Sequence, residues 1–476
     1  MSRRLRRIVG VGGLVLAATL VLPGAALAHG IVGRRDVPIP DYVFGWAAGA
    51  VLVVSFVALG ALWPQPRLQA DRARRLCFFP STLVDIVCGS TGVGIFGAVV
   101  YAGLAGVQSG PANLAPTFVY VVFWVGLAFA SLLLGNVFGA FNPWRAVARA
   151  ITALVRTIAR GEPPAALEYP RWLGRWPAAV GLLAFAWLEL AYSERNDPST
   201  LAVLALVYAA IQFVGMSLYG IEKWTDRGDA FAVYFGLFGR LAAFERRGEA
   251  LYARLPLSAL FRLELLPGTM AVLCVMIGST SFDGASNGTI WNDLAPHLQT
   301  FFVDTFGFDR IAGLELTFTV GLLFMIGLVA GIYRLGVAGM RIVDPKRSAG
   351  ELALRFSISL VPIALAYVIA HYFSLIVYQG QAVPALASDP LGDGSDIFGV
   401  GNTSIDYSVV SASGIWYVQV GALVLGHVAG LIVAHDRAVA DYPDARTAVR
   451  SQLWMLGVMV AFTCLGLWIL SAAMQG

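Results

Sequence analysis

Residues 356–381 read FSISLVPIALAYVIAHYFSLIVYQGQ, a run without a single Asp, Glu, Lys or Arg. A helix rises about 1.5 Å per residue, so roughly 20 apolar residues cross the hydrocarbon layer of a bilayer. The run is therefore read as a membrane-spanning helix, with Pro362 freeing a backbone carbonyl that helps it bend around a cavity. Its composition is that of the whole chain, which is 58% hydrophobic and 13% charged over 476 residues. Soluble domains carry roughly 25% charged residues. The chain is thus expected to be an all-α, polytopic transmembrane helix bundle.

Outward from that run, apolar segments of similar length recur at 42–63, 83–107, 118–141, 177–192, 201–221, 266–281, 311–333, 415–434 and 453–474, making about ten spans. Before the first of them stand Arg3, Arg4, Arg6 and Arg7, an apolar stretch, and Ala26-Leu27-Ala28, the tripartite form of a cleaved secretory signal. Cleavage would divide the chain into a signal at 1–28 and one transmembrane domain at 29–476, beginning at His29. Short positively charged loops stay cytoplasmic. Setting the mature N-terminus outside puts the arginine-rich loops inside, places the protein in the inner (cytoplasmic) membrane, and leaves both mature ends outside.

Two inner loops read as more than connectors. At 144–160, Arg145, Arg149, Arg156 and Arg160 recur opposite Ile151, Leu154, Val155 and Ile158, the pattern of an amphipathic helix on the inner leaflet. The aromatic run FAVYFGLFGRLAAF within 222–264 reads as a second interfacial or re-entrant helix. The net charge of +4 fits basic cytoplasmic loops and gives no reason to expect nucleic acid. Four cysteines without a C-x-x-C argue against a disulfide scaffold, and the chain has no P-loop, no Rossmann glycine pattern with its acidic partner, and no H-E-x-x-H.

Ionisable and polar groups inside spans are costly, and so by default point to function. Tyr367, His371, Ser374 and Tyr378 follow one another at spacings of four, three and four, which places them on one helix face. Gln419 and His427 lie on the next span, where Gly426 and Gly430 permit close approach of a neighbour. Asp85 precedes Gly89-Ser90-Thr91-Gly92, a run able to break a helix as in many transporter sites, or else to allow tight packing while Asp85 meets an arginine. Tyr367, His371, Ser374, Gln419, His427 and Asp85 are the expected lining of a solute or ion path. The SFDG of 281–284 is expected to line the outer vestibule, whereas Glu189 and Glu315, near the outer ends of their spans, could simply face water.

The expected function is that of a permease or channel-like carrier for a small solute or ion, with no resident cofactor. The alternative is a membrane subunit of a redox complex holding haem b or copper through His371 and His427, for which the two histidines stand at uneven depths. Outside, His29 and His297 offer a further, thinner copper set. A third reading is a structural subunit whose outer loop at 379–414 docks a secreted or membrane partner. That loop exceeds an ordinary connector and is expected to pack as a lid, with Asp389, Asp393 and Asp396 short of the spacing of a calcium loop. Taken together, AHGIVGRRDVPIP, FNPW, AHY…YQGQ with SDPLGDGSDIFG, and WYVQV…GHV…AHDRA resemble an uncharacterised family of bacterial polytopic membrane proteins over nearly the whole chain. That resemblance implies the topology and carries no activity.

Overall fold

The computed structural model of the protein describes residues 41–159, 165–401 and 404–473, so the expected signal at 1–28, His29 and Arg160 lie outside the described residues. The helices are α1 (Asp41–Leu62), α2 (Ser81–Ala105), α3 (Leu114–Leu134), α4 (Pro143–Ala159), α5 (Trp176–Leu190), α6 (Pro198–Tyr219) and α7 (Ala230–Gly239). They continue with α8 (Thr269–Ser286), α9 (Thr289–Phe306), α10 (Arg310–Met340), α11 (Leu360–Gln379), α12 (Ala412–Asp441) and α13 (Ala445–Ala473).

Among the described residues, eight helices are long and apolar enough to cross a membrane: α1, α2, α3, α6, α10, the run Ala349–Ser388 that contains α11, α12, and α13. The other two expected spans form α5, of 15 residues, and α8, of 18. Helix α5 is apolar but short, whereas the polar composition of α8 has a physical cause. Helix α8 is buried along nearly its full length, from Thr269 through Gly284, so it meets protein rather than lipid and can carry Thr, Ser and Asp. Its hydroxyls are returned to its own turns: Thr280 donates to the Met276 carbonyl at 3.1 Å and Ser281 to that of Ile277 at 2.7 Å.

One small sheet departs from the all-α expectation. Strands β1 (Arg74–Phe78), β2 (Phe244–Arg247) and β3 (Ala250–Ala253) form an antiparallel sheet in the order β1-β3-β2. It lies at the arginine-rich end of the bundle, the basic end, where acids and arginines interlock. Arg247 lies 2.6 Å from Asp71, and its guanidinium holds that carboxyl down to about 2. Helix α4 runs where the amphipathic helix was expected, with Ile151, Leu154, Val155 and Ile158 exposed and Arg145 and Arg149 paired to Glu222 at 2.7 and 2.8 Å.

The second predicted interfacial helix is instead enclosed. All residues of α7 but Gly236 are buried, and its rings pack into the centre. Phe231 meets Phe123 edge to face at 4.7 Å, and Tyr234 stacks on Trp124 at 4.4 Å. Its N-terminus is fixed by Asp229, which accepts from Asn142 Nδ2 at 2.9 Å, Trp144 Nε1 at 2.6 Å, Tyr208 OH at 2.9 Å, and the amides of Phe231 and Ala232 at 3.1 Å. The Asn-Pro-Trp of the FNPW stretch thus serves a buried helix start.

Helices α11 and α12 meet through small residues. A β carbon at Gly426 would collide with that of Ala366 and stand 2.9 Å from the Pro362 carbonyl oxygen, and one at Gly430 would stand 2.9 Å from that of Ser359. Overpacking costs typically 1–3 kcal/mol, so Gly426→Val is expected to destabilise the protein by about 2 kcal/mol. Gly421→Ala, where a β carbon meets nothing within 4 Å, should leave it unchanged. Thermal unfolding of both variants in detergent checks this contrast.

Candidate functional site

Where α5, α8 and α11 converge, two carboxylates, an imidazole and a phenol form one network. Asp283, in the last turn of α8, places Oδ2 2.8 Å from His371 Nε2 and 2.9 Å from the Tyr372 hydroxyl. The same hydroxyl lies 3.2 Å from Glu189 Oε1, at the end of α5. The His371 and Asp283 side chains are 22% and 20% exposed, and so are largely enclosed within the bundle. Three separate helices hold these groups, a rigid basis for a binding site.

Helix α11 delivers its two residues as follows. The short helix Ala349–Phe356 and a 3-10 turn at Ser357–Ser359 lead into it. Pro362 stands in the first turn, where its missing N–H costs little, and the helix then runs to Gln379 without a central break. The predicted bend at Pro362 is therefore a change of helix before the span rather than a kink within it.

Around the network stand aromatic donors. Trp124 Nε1 and the Tyr234 hydroxyl are buried and have no hydrogen-bond partner among the described residues. The Trp124 indole lies near the Tyr372 hydroxyl, and Tyr234 lies within the field of Glu189. Trp124 belongs to a nine-residue π-helical stretch, Phe118–Gly126, an uncommon geometry that often marks functional sites. The connection after α5 closes one edge: Tyr120 donates to the Arg195 carbonyl at 2.7 Å, and the Arg195 guanidinium points back to the Glu189 carbonyl at 3.4 Å.

The predicted path residues are dispersed. Tyr367 and His427 do face one another, with ring centroids 6.2 Å apart, but their surroundings are the apolar interior. His427 is fully buried, donates Nδ1–H to the Leu423 carbonyl at 2.7 Å, and leaves Nε2 without a partner among the described residues. His371 is engaged with Asp283 instead. Because Gly426 packs on Ala366, His371 stands five residues, or about 7.5 Å, farther along α11, as the uneven depths foresaw. Gln419 is buried with Oε1 unpartnered among the described residues, and Ser374 is half-buried. Tyr378 turns to the loop after α11, donating to the Val410 carbonyl at 2.9 Å.

Asp85 is bound by arginines, Arg246 at 2.6 Å and Arg149 at 3.1 Å. Helix α2 runs unbroken past Gly89 and Gly92, whose missing side chains admit Ala146 and the Phe141 carbonyl. The broken-helix expectation is corrected accordingly, and tight packing is the reason for those glycines. His297 is exposed on α9, and no group of three or more His, Cys, Asp or Glu suited to a metal occurs among the described residues.

The long loop after α11 crosses to the connection between α2 and α3, where the Val107 amide donates to the Leu391 carbonyl at 2.8 Å and that of Leu114 to Pro390 at 3.3 Å. Its aspartates serve turns: Asp389 accepts from the amides of Asp393 and Gly394 at 3.1 and 3.0 Å, and Asp396 from those of Val400 and Gly401 at 2.9 and 3.0 Å. Asp396 also accepts from the Ser388 hydroxyl at 2.5 Å, and that bond and these amides hold the two carboxyls below their ordinary range.

Sequence reasoning underrated Asp283 and Glu189 and passed over Tyr372. The available signal was an Asp and a Glu near the ends of otherwise uncharged apolar runs. The chain matches no protein-family model, no curated protein and no solved structure, and the site is judged on its own chemistry.

Proposed function

We propose that the protein is an inner-membrane permease or channel-like carrier for a small solute or ion, which engages its cargo at Asp283, His371, Tyr372 and Glu189. The observation that carries this reading is the Asp283–His371 pair at 2.8 Å, joined through Tyr372 to a second carboxylate inside the bundle. Such groups in membrane proteins commonly line ion and substrate pathways. In this orientation the basic end faces the cytoplasm, and the loop after α11, with both mature termini, lies outside.

The test is uptake into proteoliposomes carrying an imposed proton or sodium gradient, with panels of amino acids, sugars, carboxylates and metal ions. Gradient-dependent accumulation that collapses with an ionophore is the expected result. Equal uptake by protein-free vesicles across the panel would refute it.

One observation favours the redox alternative. With Nδ1–H spent on a carbonyl, the His427 imidazole keeps a bare Nε2 lone pair, the tautomer of a metal ligand. A reducible visible spectrum, or stoichiometric iron or copper lost in His427→Ala, would establish that reading in place of the carrier.

A further inference from the structure

We infer that Glu189 is held as a carboxylic acid and that Glu189, Tyr372 and Asp283 form a relay for one proton. The inference deepens the carrier reading by naming the ligand that this network takes.

Hydrogen counting leads to it. Tyr372 has one hydroxyl proton, yet its oxygen lies 2.9 Å from Asp283 and 3.2 Å from Glu189. A single proton serves one acceptor. Asp283 has the better claim, because His371 Nε2 also addresses the same Oδ2, and a carboxylate with two donors is the stable ionised partner. Among the described residues Glu189 then has no side-chain donor, unless it supplies the proton itself and donates to the Tyr372 oxygen. A partly buried carboxylate without donors is expensive, and carboxylates sharing a site rarely both ionise.

The surroundings are consistent with one shared charge. From α8 Glu189 faces Asp283, from α11 Tyr372, and from α7 Tyr234, while His371 of α11 bonds Asp283 on its other side. Tyr120 of α3 and Arg195 of the following loop complete the shell, while Glu315 of α10 is turned away to Ser193 at 2.6 Å. Transfer is balanced: the Glu189 O–H breaks as a new O–H forms on Tyr372, whose own proton passes to Asp283. The carboxylate then lies at Glu189 and the acid at Asp283. Cargo that requires an ionised Asp283 would bind in one proton state and leave in the other, coupling one proton to each cycle.

Infrared difference spectroscopy of the purified, lipid-reconstituted full chain at neutral pH tests this without any transported cargo, so its failure is separable from failure of the carrier reading. Wild type is expected to show a protonated-carboxyl C=O component that exchanges in D₂O. Glu189→Gln should lose that component by one carboxyl per chain, and Tyr372→Phe should shift its frequency, since the acid loses its acceptor. Glu315→Gln should leave it unchanged. A spectrum without the component, or one unaltered in both Glu189→Gln and Tyr372→Phe, would overturn the proposal. Loss of the component on replacing choline with sodium at constant pH would also overturn it, by giving the oxygens to a metal cation.

Discussion

Replacing Asp229 with alanine is expected to leave no folded protein to purify. An acid enclosed in a membrane bundle invites a functional reading, but here five donors from four places in the chain converge on it: Asn142, Trp144, Tyr208 and two amides at the start of α7. Each buried donor left without an acceptor costs about 1–3 kcal/mol. Five together rival the entire stability of about 5–15 kcal/mol typical of a folded protein. Asp229→Asn keeps the shape but turns an amide N–H₂ toward donors, so it should fold with a lowered melting temperature. Trp144→Phe removes one donor and leaves the acid four partners, predicting a loss of about 1–3 kcal/mol. Size-exclusion recovery and thermal unfolding in detergent order the variants. An Asp229→Ala protein that melts like wild type would show that α7 does not depend on this cap.

The same residue marks where sequence reading stopped. Helix existence follows from runs of apolar residues, which is why the long spans and α4 were legible. Position within the bundle depends on partners distant in the chain. The aromatic run of α7 has the composition of an interfacial helix and also of a buried one, and only Asn142, Trp144 and Tyr208, brought to Asp229 from other elements, decide between them. Histidine fared likewise. Spacing placed His371 beside Tyr367, Ser374 and Tyr378, yet Tyr372, one position off that face, is the residue that joins Asp283 to Glu189. A 100° step along a helix changes which neighbour a side chain meets, and a single chain does not reveal where its neighbours stand. His435 and Asp436 make the point from the other end: Asp436 Oδ1 accepts from Trp63 Nε1 at 3.0 Å and the Arg67 amide at 2.6 Å, and His435 donates to the Trp63 carbonyl at 3.0 Å, tying α12 to the chain after α1 through partners more than 360 residues away.

Asp283→Asn is expected to abolish the proposed gradient-driven uptake while leaving folding near wild type. The amide keeps the size of the carboxylate and can still accept through its oxygen, so packing around the last turn of α8 is preserved. It removes a charge that cargo would meet, and hydrogen bonds to a charged group are worth about 1.5–3 kcal/mol, or roughly 10- to 100-fold in binding. His371→Ala removes one of those donors and should reduce uptake by about tenfold or more. His371→Gln retains an N–H at a similar reach and should recover part of the loss. A purely structural role would move melting temperature and uptake together, and would not move the pH profile of uptake. A role in binding predicts the reverse: wild-type melting, a raised KM for cargo, and a pH profile that flattens in Asp283→Asn because the group that exchanges its proton is gone. Uptake by Asp283→Asn at the wild-type rate and pH profile would remove Asp283 from the site and leave the network as a packing feature of three helix ends.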